Sequence, residues 1–154
     1  PEFIDSKTLA FYLPQENELD TTPSMRCAWD LKKHVYLPVT AKDDKHLAFY
    51  SYQQEDQLLN NHFNILEPDT KTQTKIDREA LDIIFLPLVG FDTHGNRLGR
   101  GAGYYDHTLD FIKTTEKKRP LLIGLAYEFQ KIPNIEPSKW DVPMDKVITE
   151  EAIY

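Results

Sequence analysis

Three glycines at alternate positions, Gly99, Gly101 and Gly103, stand inside the stretch RLGRGAGYYDH, between two arginines and a Tyr-Tyr-Asp ending. Glycine tolerates positive φ and lets backbone approach a ligand closely. Successive N–H groups can then converge on one point and form an anion-binding nest. Arg97 and Arg100 can neutralise phosphate oxygens, an arginine taking two at once. A helix beginning just after the loop would add its partly positive end. Asp106 has the opposite sign, and a carboxylate beside a phosphate site suits a magnesium ligand. The chemistry indicated is the holding of a nucleotide phosphate. The spacing is not the dinucleotide fingerprint, and no Lys-Ser/Thr pair follows to make a P-loop. On spacing alone a plain glycine-rich turn followed by an ordinary N-terminal Asp also fits.

The charge balance sharpens the point. The 154-residue chain has a formal charge of −7, so its average field repels anions and argues against a nucleic-acid or polybasic membrane partner. Between Thr93 and Tyr105 there is no Asp or Glu, while both arginines are present. The stretch is a positive window in a negative chain. The longest apolar runs, such as IIFLPLVGF, are too short to span a bilayer, and PEFIDSKT at the start has no signal-peptide pattern. The one cysteine, Cys27, excludes an internal disulfide and favours a reducing, cytoplasmic compartment. Cys27 lies in an apolar-periodic segment and reads as a small core residue. The five histidines show no metal-binding spacing, and Trp29 and Trp140 read as packing residues.

These groups need elements to position them. Phe3 to Leu13 has near-helical apolar spacing without a cap and reads as the tail of a helix whose start is missing. PSMRCAWDLKKH suits a short helix with Pro23 in its first turn. VYLPV and LAFYSY read as strands, and QEDQLLNNHFNILEPDT as irregular surface. ALDIIFLPLVGFD is the strongest strand, apolar on both faces as in a buried parallel sheet. After the glycine loop, YYDHTLDFIKTTEKK has helical period. RPLLIGLAYEF and DKVITEEAIY supply two more strands, separated by a loop marked by Pro133, Pro137 and Pro143. Strands alternating with helices predict an α/β domain with a mainly parallel sheet. Ligands in such sheets sit at the carboxyl ends of the strands, where this reading puts the glycine loop. With 40% apolar residues, residues 1–154 fit one domain, or one domain plus a small flap.

LPLVGFDTHGNRLGRGAGYYDHTLDF resembles the signature region of the 5-formyltetrahydrofolate cyclo-ligase family, also called methenyltetrahydrofolate synthetases. ENELDT, HVYLPV, NILEP, IGLAYEFQ and WDVPMDKVIT resemble further family stretches in the same order, so the likeness covers nearly the whole chain. It implies a single three-layer domain of the NagB/RpiA/CoA-transferase-like type, lacking here the family's N-terminal helical segment. It also implies a cytoplasmic monomer whose partner is a reduced folate. The implied activity uses ATP and Mg2+ to turn 5-formyltetrahydrofolate into 5,10-methenyltetrahydrofolate, releasing ADP and phosphate. Positioning and charge neutralisation would carry such a reaction. A non-catalytic nucleotide- or folate-binding module of the same fold is the alternative.

The resemblance assigns Arg97, Leu98, Gly99, Arg100, Gly101, Ala102, Gly103, Tyr104 and Tyr105 to the ATP loop, with Arg100 and Tyr104 at the chemistry. Leu13, Glu18 and Gln130 are implied as substrate contacts, together with Arg100, Gly101, Ala102, Gly103 and Tyr104. Asp106 and Asp145 are the implied metal positions. Many relatives have Gly or Lys where this chain has Ala102, and many bacterial ones have Arg where it has His107.

Overall fold

Strands that are apolar on both faces build a sheet that must be covered twice. The computed structural model describes all residues from Pro1 to Tyr154. Its strands are β1 (Thr8–Ala10), β2 (His34–Thr40), β3 (Leu47–Ser51), β4 (Leu58–Asn60), β5 (Leu66–Pro68), β6 (Lys75–Ile76), β7 (Ile83–Leu86), β8 (Gly90–Phe91), β9 (Arg97–Leu98), β10 (Leu121–Leu125) and β11 (Lys146–Ile148). The α-helices are α1 (Glu2–Asp5), α2 (Thr22–Asp30) and α3 (Tyr104–Leu109), the last continued by a 3₁₀ turn over Asp110–Lys113. Seven strands form one sheet in the order β11-β10-β7-β1-β2-β3-β6. From β11 to β2 every pairing is parallel. β3 and β6 extend the β2 edge antiparallel. The mainly parallel α/β sheet expected from the sequence is present.

Side chains alternate across a strand, and here the alternation sorts the core into two halves. Leu9, Phe11, Ile83, Phe85, Ile123 and Leu125 point to one face, where Met25 and Ala28 of α2 cover them. Ala10, Ile84, Leu86, Leu122 and Val147 point to the other, packed with Leu109 of α3. A helix thus lies on each side of the sheet.

Four expectations need correction. The Phe3–Leu13 segment is not one helix. α1 ends at Asp5, Ser6 turns extended (φ −73°, ψ 152°), and Thr8–Ala10 becomes a central strand paired on both sides. A short strand buried on both faces has apolar residues at helical spacings too, so periodicity alone misassigned it. Cys27 is exposed. The inward stripe of α2 runs through Met25 and Ala28, three residues apart, and position 27 falls off it. The segment read as irregular contains the β4–β5 hairpin. Trp140, expected to pack, is 68% exposed, with the Lys139 ammonium over its ring at 4.5 Å.

Two carboxylates lock the amino-terminal ends of the parallel strands. Asp82, just before β7, accepts N–H bonds from Lys7 (2.8 Å) and Thr8 (3.1 Å) at the start of β1, and pairs with Lys118 at 3.0 Å. Asp145, just before β11, accepts two bonds from Arg119 (2.9 and 2.7 Å) and one from the Leu122 N–H (2.8 Å) in β10. Burial pushes the Asp82 pKa up, but the Lys7 N–H, the Lys118 ammonium and the Thr8 N–H outweigh it and hold the group at about 2. No helix is long and apolar enough to cross a membrane.

A depressed carboxylate pKa stabilises the fold above the unfolded value and loses that contribution as pH falls through the folded one. Asp82→Asn is therefore expected to cost about 1 kcal/mol at pH 7, the value of charge-assisted bonds reduced by solvent screening at a part-exposed site. Urea unfolding should show this gap closing between pH 4 and pH 2.

Candidate active site

The strand order fixes where a ligand can enter. The chain leaves β1 toward β2 on one side, and leaves β7 toward β10 and β11 on the other. The carboxyl ends of β1 and β7 therefore flank a topological switch point, where the outgoing loops diverge and leave a crevice. Tyr12, Leu13 and the turn carrying Glu18 follow β1. The β8–β9 hairpin and the glycine loop follow β7.

The hairpin is built around a buried acid. Asp92 is 0% exposed and accepts the N–H groups of His94 (2.9 Å), Asn96 (3.0 Å) and Ile135 (3.1 Å), and the Asn96 amide (3.0 Å). Burial alone would raise its pKa, but these donors hold it below the ordinary carboxylate range. The turn thus fixed sends β9 back along β8, with Phe91 opposite Arg97 and Gly90 opposite Leu98, and the glycine loop departs from there.

Within the loop, Gly101 has φ +93° and a Cβ there would meet nothing within 4 Å, so its backbone faces open space. Gly103 has φ +75° and caps α3, with the His107 N–H bonded to its carbonyl at 3.0 Å. The helix after the loop has only six residues, shorter than expected. Arg97 folds back along the loop, and a Cβ on Gly99 would sit 3.4 Å from its Nη1.

The Arg97 side chain is 8% exposed and pairs with Asp106 Oδ1 at 3.1 Å. Its guanidinium lies 5.8 Å from the centre of the Tyr105 ring. Its Nε is buried without any hydrogen-bond partner. Asp106 Oδ1 also accepts the Val142 N–H at 3.0 Å. Both bonds use one oxygen, which leaves Oδ2 without a protein donor.

Arg100 crosses to the other wall. Its Nη2 donates to the Glu16 carbonyl at 2.5 Å and lies 3.8 Å from Glu18 Oε1. The Glu18 side chain is 8% exposed. Burial raises its pKa, against the Gln15 N–H and the Arg100 charge. Burial also pushes up the phenols of Tyr12 and Tyr105, and the Glu18 charge adds to both. The crevice thus has an arginine–aspartate pair on one wall, a reluctant acid on the other, and a half-exposed arginine between.

With this geometry in hand, the comparisons decide the family. The model of the 5-formyltetrahydrofolate cyclo-ligase family matches residues 1–150. The chain belongs to this family. It is 38% identical to the 5-formyltetrahydrofolate cyclo-ligase of Haemophilus influenzae, over 93% of this chain and 75% of that protein. It is 32% identical to that of Escherichia coli, over 100% of this chain and 84% of that one. Among solved structures it is similar to the 5,10-methenyltetrahydrofolate synthetase of Aquifex aeolicus, with TM-score 0.80 and 32% identity, covering 99% of this chain and 73% of that one. The synthetase of Mycoplasma pneumoniae gives TM-score 0.70 and 26% identity, covering 96% and 76%.

The residues that the family resemblance singled out fall into three groups. Arg97, Leu98, Gly99, Arg100, Gly101, Ala102, Gly103, Tyr104, Tyr105 and Asp106 form the glycine loop and the start of α3, and Leu13 and Glu18 lie across the crevice after β1. Gln130 is near but engaged. It is 8% exposed, donates to the Leu88 and Val89 carbonyls at 3.1 Å, and accepts the Tyr127 N–H at 2.7 Å. Asp145 is elsewhere, clamped by Arg119 at the amino end of β10, and the structure does not bring it to Asp106. No cluster of three or more acidic, histidine or cysteine side chains has the arrangement of a metal site.

Sequence reading missed two neighbours of the site. Tyr12, 3% exposed, donates to the Leu19 carbonyl at 3.2 Å and accepts Thr21 Oγ1 on its own carbonyl at 2.5 Å, fixing the turn that holds Glu18. Phe63, at the tip of the β4–β5 hairpin, meets the Tyr104 ring edge-on at 6.4 Å. The Asn-rich run NNHFN was a usable turn signal: Asn61 Oδ1 accepts the Phe63 and Ile65 N–H groups, and Asn64 takes φ 58°.

Asp106→Ala would leave the Arg97 charge buried without its partner, and is expected to cost about 3 kcal/mol. Adding Arg97→Leu should recover part of that loss. Denaturant titration of the single and double variants checks both.

Proposed function

We propose that this chain converts 5-formyltetrahydrofolate to 5,10-methenyltetrahydrofolate at the crevice between β1 and β7, consuming ATP and releasing ADP and phosphate. The observation that carries the reading is the orphaned Arg97 Nε beside an unused Asp106 oxygen. A buried N–H without an acceptor costs free energy unless a ligand completes it, and a phosphate oxygen would. Family membership supplies the substrate class: the relatives from Haemophilus influenzae and Escherichia coli are named 5-formyltetrahydrofolate cyclo-ligase.

Magnesium and a triphosphate fit the groups present. Asp106 Oδ2 would hold the metal. Arg97 and the bared amides around Gly101 would hold the phosphates. The metal would supply charge neutralisation at the transferring phosphoryl group. Glu18, already reluctant to ionise, would accept the pterin's amide and amino donors with Leu13 beside it. Arg100 would leave Glu16 for the phosphoryl group as it moves to the formyl oxygen, and Tyr104 would hold the folate against Phe63. The protein's contribution is orientation and electrostatic stabilisation. Asp145 has both oxygens engaged, so its part in this reading is structural, as is that of Gln130. We read residues 1–154 as one domain of the NagB/RpiA/CoA-transferase-like type acting as a cytoplasmic monomer.

The methenyl product absorbs in the near ultraviolet where the formyl substrate does not. Signal growing only with ATP and magnesium is the expected result. Folate or ATP binding without turnover would instead select the binding-module alternative. Arg100→Ala should lower kcat/KM by about 100-fold while leaving stability within about 0.5 kcal/mol of the parent. Glu18→Gln should raise the KM for the folate by about tenfold, the worth of one charged hydrogen bond.

A further inference from the structure

Beyond the loop, the carboxyl end of β10 carries a feature the chemistry above leaves unused. Tyr127 and Phe129 are 36% and 79% exposed, yet their rings stack at 5.5 Å between centroids with planes 8° apart. The backbone beneath them is clamped. Gln130 accepts the Tyr127 N–H through its side chain and donates its own N–H to the Tyr127 carbonyl at 2.9 Å. Glu128, between them in sequence, accepts from Thr149 (2.7 Å), Tyr154 (2.6 Å) and Lys131, and its N–H bonds Glu150 at 2.9 Å. Rings displayed on a fixed backbone lose little freedom on stacking with a ligand.

We propose that Tyr127 and Phe129 form the stacking platform for the purine ring of the nucleotide, a subsite resting on the phosphate reading of the glycine loop. Continuity with the loop supports it. The Gln130 amide ties Tyr127 to the Val89 carbonyl, and the Val89 N–H bonds the carbonyl of Leu98, next to Gly99, at 2.7 Å. Val89 and Leu98 are 51% and 44% exposed, an apolar path between the loop and the rings. Charge sets the direction. Arg97 and Arg100 stand at the loop end, while at the rings the Glu128 charge is answered by Lys131, so the stronger pull on phosphates is at the loop, and a neutral base needs no counter-charge. Glu18 is spoken for by the pterin in the proposed reaction, which leaves the platform to the nucleobase. Stacking is tolerant of base identity, so the platform by itself does not distinguish adenine from guanine.

The probes are adenosine, ADP, pyrophosphate and 5-formyltetrahydrofolate, added to the intact chain while the Tyr127 and Phe129 ring resonances are followed by NMR. Adenosine should shift both rings. Phe129→Ala, at an exposed position, should weaken ADP by about tenfold, within the range of one lost base stack, and leave pyrophosphate within about twofold. Rings unmoved by adenosine overturn the platform, and pyrophosphate binding in that case keeps the phosphate reading alive. Rings moved by adenosine in a chain that binds no pyrophosphate keep the platform and sink the phosphate reading. Rings moved by the folate and not by adenosine, or shifting with protein concentration alone, assign the pair to another occupant and overturn the proposal.

Discussion

A guanidinium at 8% exposure cannot stand alone, and the pairing of Arg97 with Asp106 is the constraint on which the site depends. Removing a charge from water costs several kcal/mol, repaid only by a well-placed partner and further hydrogen bonds. Meeting that demand ties three separate pieces together: β9 through Arg97, α3 through Asp106, and the proline-marked loop through the Val142 N–H. The pairing is incomplete, because Nε finds no acceptor. A fully satisfied pair would be only a staple. One with a donor left over keeps a place for an acceptor, the place the proposed function gives to a phosphate oxygen.

Arg100 works against a different background. It is half exposed and bonded to a backbone carbonyl. Its reach from the glycine loop to the turn after β1 spans the crevice and joins its two walls. A chain with a formal charge of −7 must place positive groups with care to attract a triphosphate. Here one arginine is buried in an ion pair and the other is half exposed, and the proposed function gives the first the holding of the anion and the second the reacting phosphoryl group.

How much of this was legible in the sequence depended on whether local residues or distant ones decided the outcome. The glycine loop was legible because Gly101 and Gly103 need positive φ, a local property. β7 was legible because Ile83–Leu86 is apolar at every position and buried at every position. β1 was not: three residues set between two parallel neighbours owe their conformation to those neighbours, and their apolar spacing fits a helix equally well. Asp145 and Gln130 resembled ligand contacts by position in the family pattern. Their partners, Arg119 at 26 residues' distance and the Leu88 carbonyl at 42, belong to the fold and could not be read locally. Cys27 was misjudged by two-way reasoning from composition, since a cysteine is buried only if its helix turns it inward.

The acids of this protein divide by the direction in which the fold moves them, and the division separates architecture from chemistry. Asp82, Asp92 and Asp145 are all pushed toward the charged form by N–H donors and cations that outweigh burial, and each joins elements distant in sequence. Such groups are settled: their lone pairs are spent. Glu18 moves the other way, because burial exceeds what one N–H and a half-exposed arginine return to it. A carboxyl kept uneasy at the mouth of a switch-point crevice is stabilised by any ligand that brings it adjacent donors. Perturbed groups of this kind concentrate at functional sites, and here the upward-shifted acid lies on the wall opposite the unsatisfied Arg97 Nε. One wall lacks an acceptor and the other lacks donors, so a ligand bridging them must carry an anionic end and a donor-rich end. The proposed pair, a phosphorylated nucleotide and a pterin bound together, fits that requirement.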